Sequence, residues 1–308
     1  MQSKTIAWRQ SMVAPVCWII LALATPPALA WGAKGHRLTA LVAFQLLAPS
    51  TKLRLKAILG AEDLATAALY LDIHKDALEQ NVPGSRDWHY DDRPSCDASV
   101  PRSEYCPGGD CASVQLKRHY NVLIDTHASA NQRRFAVRVI AHLAGDIHQP
   151  LHASDNNDAG GNGIKLKPAS AWFAGQHANL HSAWDNDFVV KAFSAPEFKN
   201  KSELQIAKIL AAQISAADKE AWRKGLITSW LAESYDKGVA LAYGMLPGFG
   251  CELQDFGEQK IQLPAEYIDA SVAIVPEQIK KAGLRLAAIL NRAFSTDSPQ
   301  TFVRADKF

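Results

Sequence analysis

Residues 141–152 read Ala-His-Leu-Ala-Gly-Asp-Ile-His-Gln-Pro-Leu-His. His142 and Asp146 stand at i and i+4 in a run of helical periodicity, and such residues share one helix face with β-carbons roughly 5–6 Å apart. Two side chains so placed can reach into one metal cluster. Pro150 ends the run, and His148 and His152 flank the break. The helical stretch Asn179–Val190 repeats the device with His181 and Asp185. A surface salt bridge explains one His-x3-Asp pair, but two of them joined by a further histidine point to a metal site. Imidazole and carboxylate are ligands that zinc takes, so zinc is the expected metal. His36, in Trp31-Gly-Ala-Lys-Gly-His36, and His89, in Trp88-His89-Tyr90, have comparable company. His74, His119, His127 and His177 lack it and read as ordinary histidines. His148 is expected to turn away from the cluster and support the ligands from behind.

Outward from these stretches the periodicity is helical. His36–Leu47 carries an apolar stripe closed by Pro49-Ser50, and Thr51–Leu59 and Asp63–Gln80 follow as two further helices. Asn81–Gly109 turns to Pro, Gly, Ser, Asp and Arg, which marks a long exposed loop around Trp88–Tyr90. Val114–Thr126 and Gln132–Ile147 are helical. Asp155–Gly163 is a glycine-rich loop, and Ile164–Phe173 has the pattern of a small β-hairpin. Ser202–Ala217, Glu220–Leu246 and Ala265–Phe294, the last containing Pro276, complete the set. With no repeat or linker, the expectation is a mainly α, single multi-helix domain over 31–308, with a small hairpin and long loops.

Residues 1–30 are set apart from that domain. Lys4 and Arg9 precede the apolar stretch Met12–Leu23, and Ala28-Leu29-Ala30 is a small-x-small cleavage site, so the segment reads as a secretory signal. A retained membrane anchor is the rival reading, opposed by Pro26-Pro27 and the cleavage site. No later stretch reaches the roughly 18 unbroken apolar residues of a membrane span, and no stable membrane association is expected. Cleavage after Ala30 removes Lys4 and Arg9 from the 33 basic residues and none of the 31 acidic ones, leaving 31 against 31. A neutral chain has no broad basic surface for nucleic acid, so any affinity for phosphate is local. Cys17 leaves with the leader. Cys96, Cys106, Cys111 and Cys251 remain, an even set that reads as disulfides in an exported chain, with three possible pairings. Cys106 and Cys111 enclose the turn-rich Pro107-Gly108-Gly109-Asp110 and can close on each other, leaving Cys96 for Cys251.

Seven stretches carry a family likeness: W-G-A-K-G-H at 31–36, L-D at 71–72, H-Y at 89–90, H-L-A-G-D-I-H-Q-P-L-H at 142–152, D-A-G-G-N at 158–162, N-L-H-S-A-W-D at 179–185 and A-G-L-R-L-A-A-I-L-N at 282–291. Together they resemble the trinuclear-zinc, single-strand-specific nucleases and 3′-nucleotidases of the mung-bean type, which share a fold with bacterial zinc phospholipase C. The resemblance implies that the freed α-amine and carbonyl of Trp31 bind one zinc with His36, so that leader cleavage creates a ligand. It implies a second zinc on Asp72, His89 and His142, with Asp146 bridging the two, and a third on His152, His181 and Asp185. Tyr70-Leu71 precede Asp72 where the family has Trp-Ala, which makes Asp76 a rival ligand. Lys75 stands where these enzymes commonly place an arginine on phosphate, giving a point charge rather than a fork. Tyr90 is the candidate stacking platform for a base, and Asp92 and Asn186 resemble positions that contact the base edge.

The implied chemistry is attack of a zinc-bound hydroxide on phosphorus. Paired zinc ions about 3.5–4 Å apart bring the pKa of bound water toward ~7. Asp72 or Asp146 then orients the nucleophile, Lys75 neutralises a phosphate oxygen, and the third zinc offsets charge on the leaving 3′ oxygen. The expected substrates are RNA, single-stranded DNA and 3′-nucleotides, with 5′-mononucleotides as products and no protein partner evident, for an enzyme secreted or held in the periplasm. A zinc phospholipase C acting on lipid headgroups is the alternative. A noncatalytic zinc-stabilised protein is a third reading. His152, His181 and Asp185 are only three ligands, which leaves an open position and favours catalysis.

Overall fold

The computed structural model describes residues 31–167, 179–251 and 259–295. The leader with Lys4, Arg9 and Cys17, residue His177 and residues 168–173 of the expected hairpin lie outside them. The elements are α1 (Ala33–Leu46), α2 (Pro49–Leu59), α3 (Leu64–Ala67), α4 (Tyr70–Ile73), α5 (Lys75–Asn81), α6 (Arg102–Tyr105) and α7 (Ala112–Ile124). They continue as α8 (Ala130–Asp146), α9 (Leu180–Ser182), α10 (Phe188–Ala192), α11 (Glu203–Gln213), α12 (Ala216–Trp222), α13 (Ile227–Lys237) and α14 (Ala265–Ala293). Where Ile164–Phe173 was expected to start a hairpin, the described part makes only isolated bridges, Lys165 with Asn179 and Leu166 with Ile261. No described helix is long and apolar enough to cross a membrane.

Several expected helices divide, each for a local reason. Pro49 opens α2 at its first turn, where a missing N–H costs nothing. The stretch Asp63–Gln80 becomes α3, α4 and α5. Asp63 caps α3 by accepting the Thr66 N–H at 2.7 Å. The chain then breaks, freeing the Ala68 carbonyl, which receives a bond from His142 Nδ1 at 2.6 Å. Ser215 and Asp218 form a capping box that starts α12 afresh after α11. The stretch Glu220–Leu246 is interrupted at Gly225, whose φ of 90° suits glycine. Between α9 and α10 the helix widens into a π-type turn over Ala183–Asp187, a distortion common at functional sites, and Asp185 lies within it.

Packing forms two buried apolar clusters. One gathers Trp31, Trp184, Phe188, Tyr243, Tyr267 and Ile279. The other gathers Trp88, Leu116, Ile140, Leu143, Trp230 and Leu290. α1 and α14 contribute to both, α1 through Leu38 and Val42 on one side and Ala40 and Ala43 on the other. α8 starts from a Ser129–Gln132 capping box, and from Val139 to Asp146 every residue is buried. A helix end buried on all sides carries His142 and Asp146 into the interior, where unpaired charge is costly.

Two disulfides are present, Cys106–Cys111 and Cys96–Cys251. The second ties the loop after Tyr90 to Cys251, while the bonds from Asp91 N–H to His152 O (2.8 Å) and from Asp155 N–H to Arg93 O (2.9 Å) lace the same loop against the segment after His152. Trp88, expected on an exposed loop, is buried instead, and a tight turn over Ser85–His89 presents His89.

The contact of α1 with α14 depends on Gly283. A β-carbon there would stand 2.5 Å from Val42 Cγ1 and 3.1 Å from the Thr39 carbonyl oxygen. Overpacking of this kind costs about 1–3 kcal/mol. Gly283→Val is therefore expected to lower the unfolding free energy by an amount in that range, read as a lower urea midpoint, and an unchanged midpoint would contradict the close approach.

Candidate metal centre

The expected side-chain ligands converge from seven elements. α1 brings His36, α4 brings Asp72, the Ser85–His89 turn brings His89, α8 brings His142 and Asp146, and the turn at Pro150–His152 brings His152. α9 and the π-type turn add His181 and Asp185. Three groups of donor atoms fall within 4.8 Å of one another: His36, His142 and Asp146; Asp72, His89 and His142; and His152, His181 and Asp185. Asp91, Cys106 and Cys111 also cluster, but the two cysteines are joined to each other.

Asp146 links the first two groups. Its Oδ1 lies 3.2 Å from His36 Nε2, and its Oδ2 lies 3.3 Å from both His89 Nδ1 and His142 Nε2. His142 Nε2 and His89 Nδ1 are 3.0 Å apart, and Asp72 Oδ1 is 3.6 Å from the former. His36 and His142 stack with centroids 3.9 Å apart. Gly145 permits this, because a β-carbon there would meet His36 Nδ1 at 2.8 Å. In the third group His181 Nε2 is 3.2 Å from Asp185 Oδ2 and His152 Nε2 is 3.6 Å from Asp185 Oδ1. Gln149 donates to Asp185 Oδ1 at 2.8 Å and so orients it.

The imidazole tautomers show what this arrangement is built for. A carbonyl oxygen only accepts, so each ring nitrogen bonded to one carries the proton. His142 Nδ1 donates to Ala68 O, His152 Nδ1 to His89 O at 2.8 Å and His181 Nδ1 to Gly160 O at 2.7 Å. In the neutral rings the lone pairs on Nε2 therefore face carboxylate oxygens. Burial holds His142 well below the usual imidazole pKa, so a second proton does not relieve that contact. A proton on His89 Nδ1 can serve one acceptor at a time among His142 Nε2, Asp146 Oδ2 and Asp72 Oδ1. A divalent cation serves them all. Neither oxygen of Asp146 makes a hydrogen bond, nor do Asp185 Oδ2, His152 Nε2 or either ring nitrogen of His36. Buried groups left so would cost several kcal/mol, and the nitrogen and oxygen donor set fits zinc.

Asp72 is buried and faces the cluster, whereas its rival Asp76 is exposed and pairs with Arg86 at 2.6 Å. His148 turns away, as expected, with Nδ1 on Ala144 O and Nε2 accepting from Arg285 at 2.9 Å. His119 packs between Trp88 and Phe135, and His74 and His127 are exposed. Trp31 is fully buried, and the Gly32 N–H donates to Asp185 O at 2.8 Å, which pins the start of the domain beside the cluster.

A cavity of about 300 Å³ opens onto these groups. Asp72, His89, His152 and His181 line it, with Lys75, Tyr90 and Asp92. Tyr90 donates its hydroxyl to Asp87 Oδ1 at 2.6 Å, which fixes the ring. Burial, reinforced by the charge of Asp155, pushes Asp92 up to about 8, so it carries a proton at neutral pH. Asn186 is not brought to this cavity: its oxygen lies against Gly32, and its Nδ2 donates to Ser182 O at 3.5 Å. Arg86, Ala159 and Asn162 do line it.

A family profile described as S1/P1 Nuclease matches residues 31–295. The chain belongs to the S1/P1 nuclease family. Nuclease S1 of Aspergillus oryzae is 29% identical to it over 287 residues, 87% of this chain and 93% of its own length. Nuclease P1 of Penicillium citrinum is 27% identical over 282 residues, 87% and 99% of the two chains. Endonuclease 3 of Arabidopsis thaliana is 26% identical over 287 residues, 87% and 90%. As a member of the S1/P1 nuclease family this chain hydrolyses nucleic acid, and its His and Asp groups can hold metal. Sequence reasoning placed Asn162 in a family motif without a role. Gln149 likewise lies in a family motif without a role, since its partner is 36 residues on, and Arg86, in a polar loop, gave no signal.

Metal uptake at the third group has a proton signature. Burial lowers the pKa of His181, but the charge and contact of Asp185 and the Gly160 carbonyl outweigh it and raise the ring to about 9. At pH 7 the metal-free ring is therefore protonated, and zinc binding must expel that proton. Calorimetric titration of chelator-stripped protein is expected to give heats that vary with the buffer's ionisation enthalpy, less so in His181→Asn. Identical heats in all buffers would contradict the assignment.

Proposed function

We propose that the mature chain, residues 31–308, is an exported zinc-dependent phosphodiesterase. Its substrates are RNA and single-stranded DNA, cleaved to 5′-mononucleotides, and it also removes 3′-phosphates. The observation that carries this reading is the set of inward imidazole lone pairs and unpaired carboxylate oxygens at a cavity that also holds a cation and an aromatic ring. The names of the nuclease relatives support the same reaction class. The disulfides fit the oxidising compartment to which a cleaved leader would deliver the chain, outside the cell or in the periplasm.

Zinc, when bound, supplies Lewis acidity at phosphoryl oxygens and makes water nucleophilic near neutral pH. Three ions fit the three donor groups. His36, Asp146 and the amine and carbonyl of a freed Trp31 would hold one, and Asp72, His89, His142 and Asp146 a second. His152, His181 and Asp185 would hold the third, with room left for substrate. Asp72 Oδ2 has no hydrogen-bond partner, which supports a role for it in orienting the attacking water, one that Asp146 would share. Lys75 neutralises a phosphate oxygen. The ring of Tyr90 offers a stacking surface worth about 1–3 kcal/mol per base, which a base inside a duplex cannot use without flipping. A protonated Asp92 both donates and accepts, which suits a base edge, and Asn162 lines the same cavity.

The deciding experiment assays purified mature protein on single-stranded DNA, RNA, 3′-AMP and phosphatidylcholine, with and without chelator. Cleavage of the polynucleotides and release of phosphate from 3′-AMP, both abolished by chelator and restored by zinc, are expected. Turnover of the lipid alone would replace the nuclease by a phospholipase, and chelator-resistant cleavage would remove the metal mechanism.

A further inference from the structure

Lys75 and Arg86 are the cations that line the cavity among the described residues, and they differ in how they are held. Lys75 begins α5, close enough to the metal ligands that its charge acts on His89 and that of Asp72 acts on it. Arg86 acts in turn on Lys75. Both line the cavity, Lys75 half-buried and Arg86 exposed, so Arg86 is the cation open to solvent. Arg86 is not a wandering surface chain. Its Nη2 is tied to Asp76 Oδ1 at 2.6 Å, and its backbone N–H donates to Glu79 Oε2 at 3.0 Å. The same carboxylate group of Glu79 receives the Gly84 N–H at 3.0 Å and the Ser85 hydroxyl at 3.2 Å. The turn that carries Arg86 is thus fixed on α5, the helix that carries Lys75. The side chain is nonetheless 54% exposed, so the fork keeps donors for a ligand from solution.

We propose that Arg86 forms a second phosphate subsite, binding the backbone phosphate of a neighbouring nucleotide while Lys75 serves the phosphate being hydrolysed. The proposal rests on the nuclease reading and deepens it, because it makes Arg86 the residue that separates polynucleotides from mononucleotides. A 3′-mononucleotide has one phosphate and leaves Arg86 unused. A polynucleotide engages both cations, with Asp76 holding the guanidinium ready. In a chain with balanced charge, basic side-chain contacts to phosphate are few, so loss of one changes the salt dependence measurably.

The test compares wild-type mature protein with Arg86→Gln and Arg86→Lys on a short oligothymidylate and on 3′-AMP, over a range of salt. A charge-assisted contact of this kind changes affinity about tenfold. In Arg86→Gln the ratio of the KM for oligothymidylate to that for 3′-AMP is expected to rise by about that factor. The slope of log affinity for oligothymidylate against log salt should fall by about 0.7, the loss of one phosphate on a single strand. Arg86→Lys should keep most of the slope. Unchanged zinc content and melting temperature separate these effects from misfolding. An active wild type whose KM ratio and salt slope are unaltered in Arg86→Gln overturns the subsite alone, as does an equal loss on both substrates. A wild type inactive on both substrates overturns the nuclease reading and the subsite with it.

Discussion

The structure is organised around one electrostatic constraint, the burial of the Asp146 carboxylate between His36, His89 and His142 with no hydrogen bond to either oxygen. A lone buried carboxylate would be driven to protonate. Here burial pushes in that direction, but the contacts of His36 and His89 oppose it, and Asp146 lies well below the usual carboxylate range. The surrounding elements are shaped to keep it charged. α3 ends early so that the Ala68 carbonyl accepts the His142 Nδ1–H, Gly145 lets His36 close in, and α8 is buried all round where it delivers the acid. Each of these features costs something as local structure, and each makes sense with cations at the centre.

How much of this is legible in the sequence follows from the range of the interactions. The His142–Asp146 and His181–Asp185 pairs are local, so spacing alone puts each on one helix face. The fully helical architecture and the long terminal helix α14 are likewise set by periodicity, and α14 runs through Pro276 because packing on α1 and α8 holds it. The breaks in Asp63–Gln80 are different. They serve a bond to His142 that lies 74 residues away, and no local pattern announces it. The π-type turn around Asp185 and the donation from Gln149 are of the same kind. Asn186 illustrates the converse, since one residue beyond Asp185 the side chain faces Gly32 rather than the cavity.

The near balance of 33 basic and 31 acidic residues makes substrate capture a matter of a few placed groups. Metal ions held by the three donor groups would supply much of the positive potential at the cavity, whose lining includes Lys75, Arg86, Tyr90 and Asp92. The loop bearing Tyr90 and Asp92 is tied down by Cys96–Cys251 and by Asp91, which accepts from the Ser113 N–H at 2.8 Å and from Arg102 at 3.2 Å. Rigid placement of this kind lowers the entropic cost of ordering a ligand at the site.

The central claim is that the inward lone pairs and unpaired carboxylates are completed by zinc. Elemental analysis of the purified mature protein, combined with its melting temperature before and after chelation, tests it most directly. The account predicts three zinc ions per chain and a marked fall in melting temperature on their removal, since ions that bind only the folded state stabilise it. A metal-free protein with an unchanged melting temperature would contradict it.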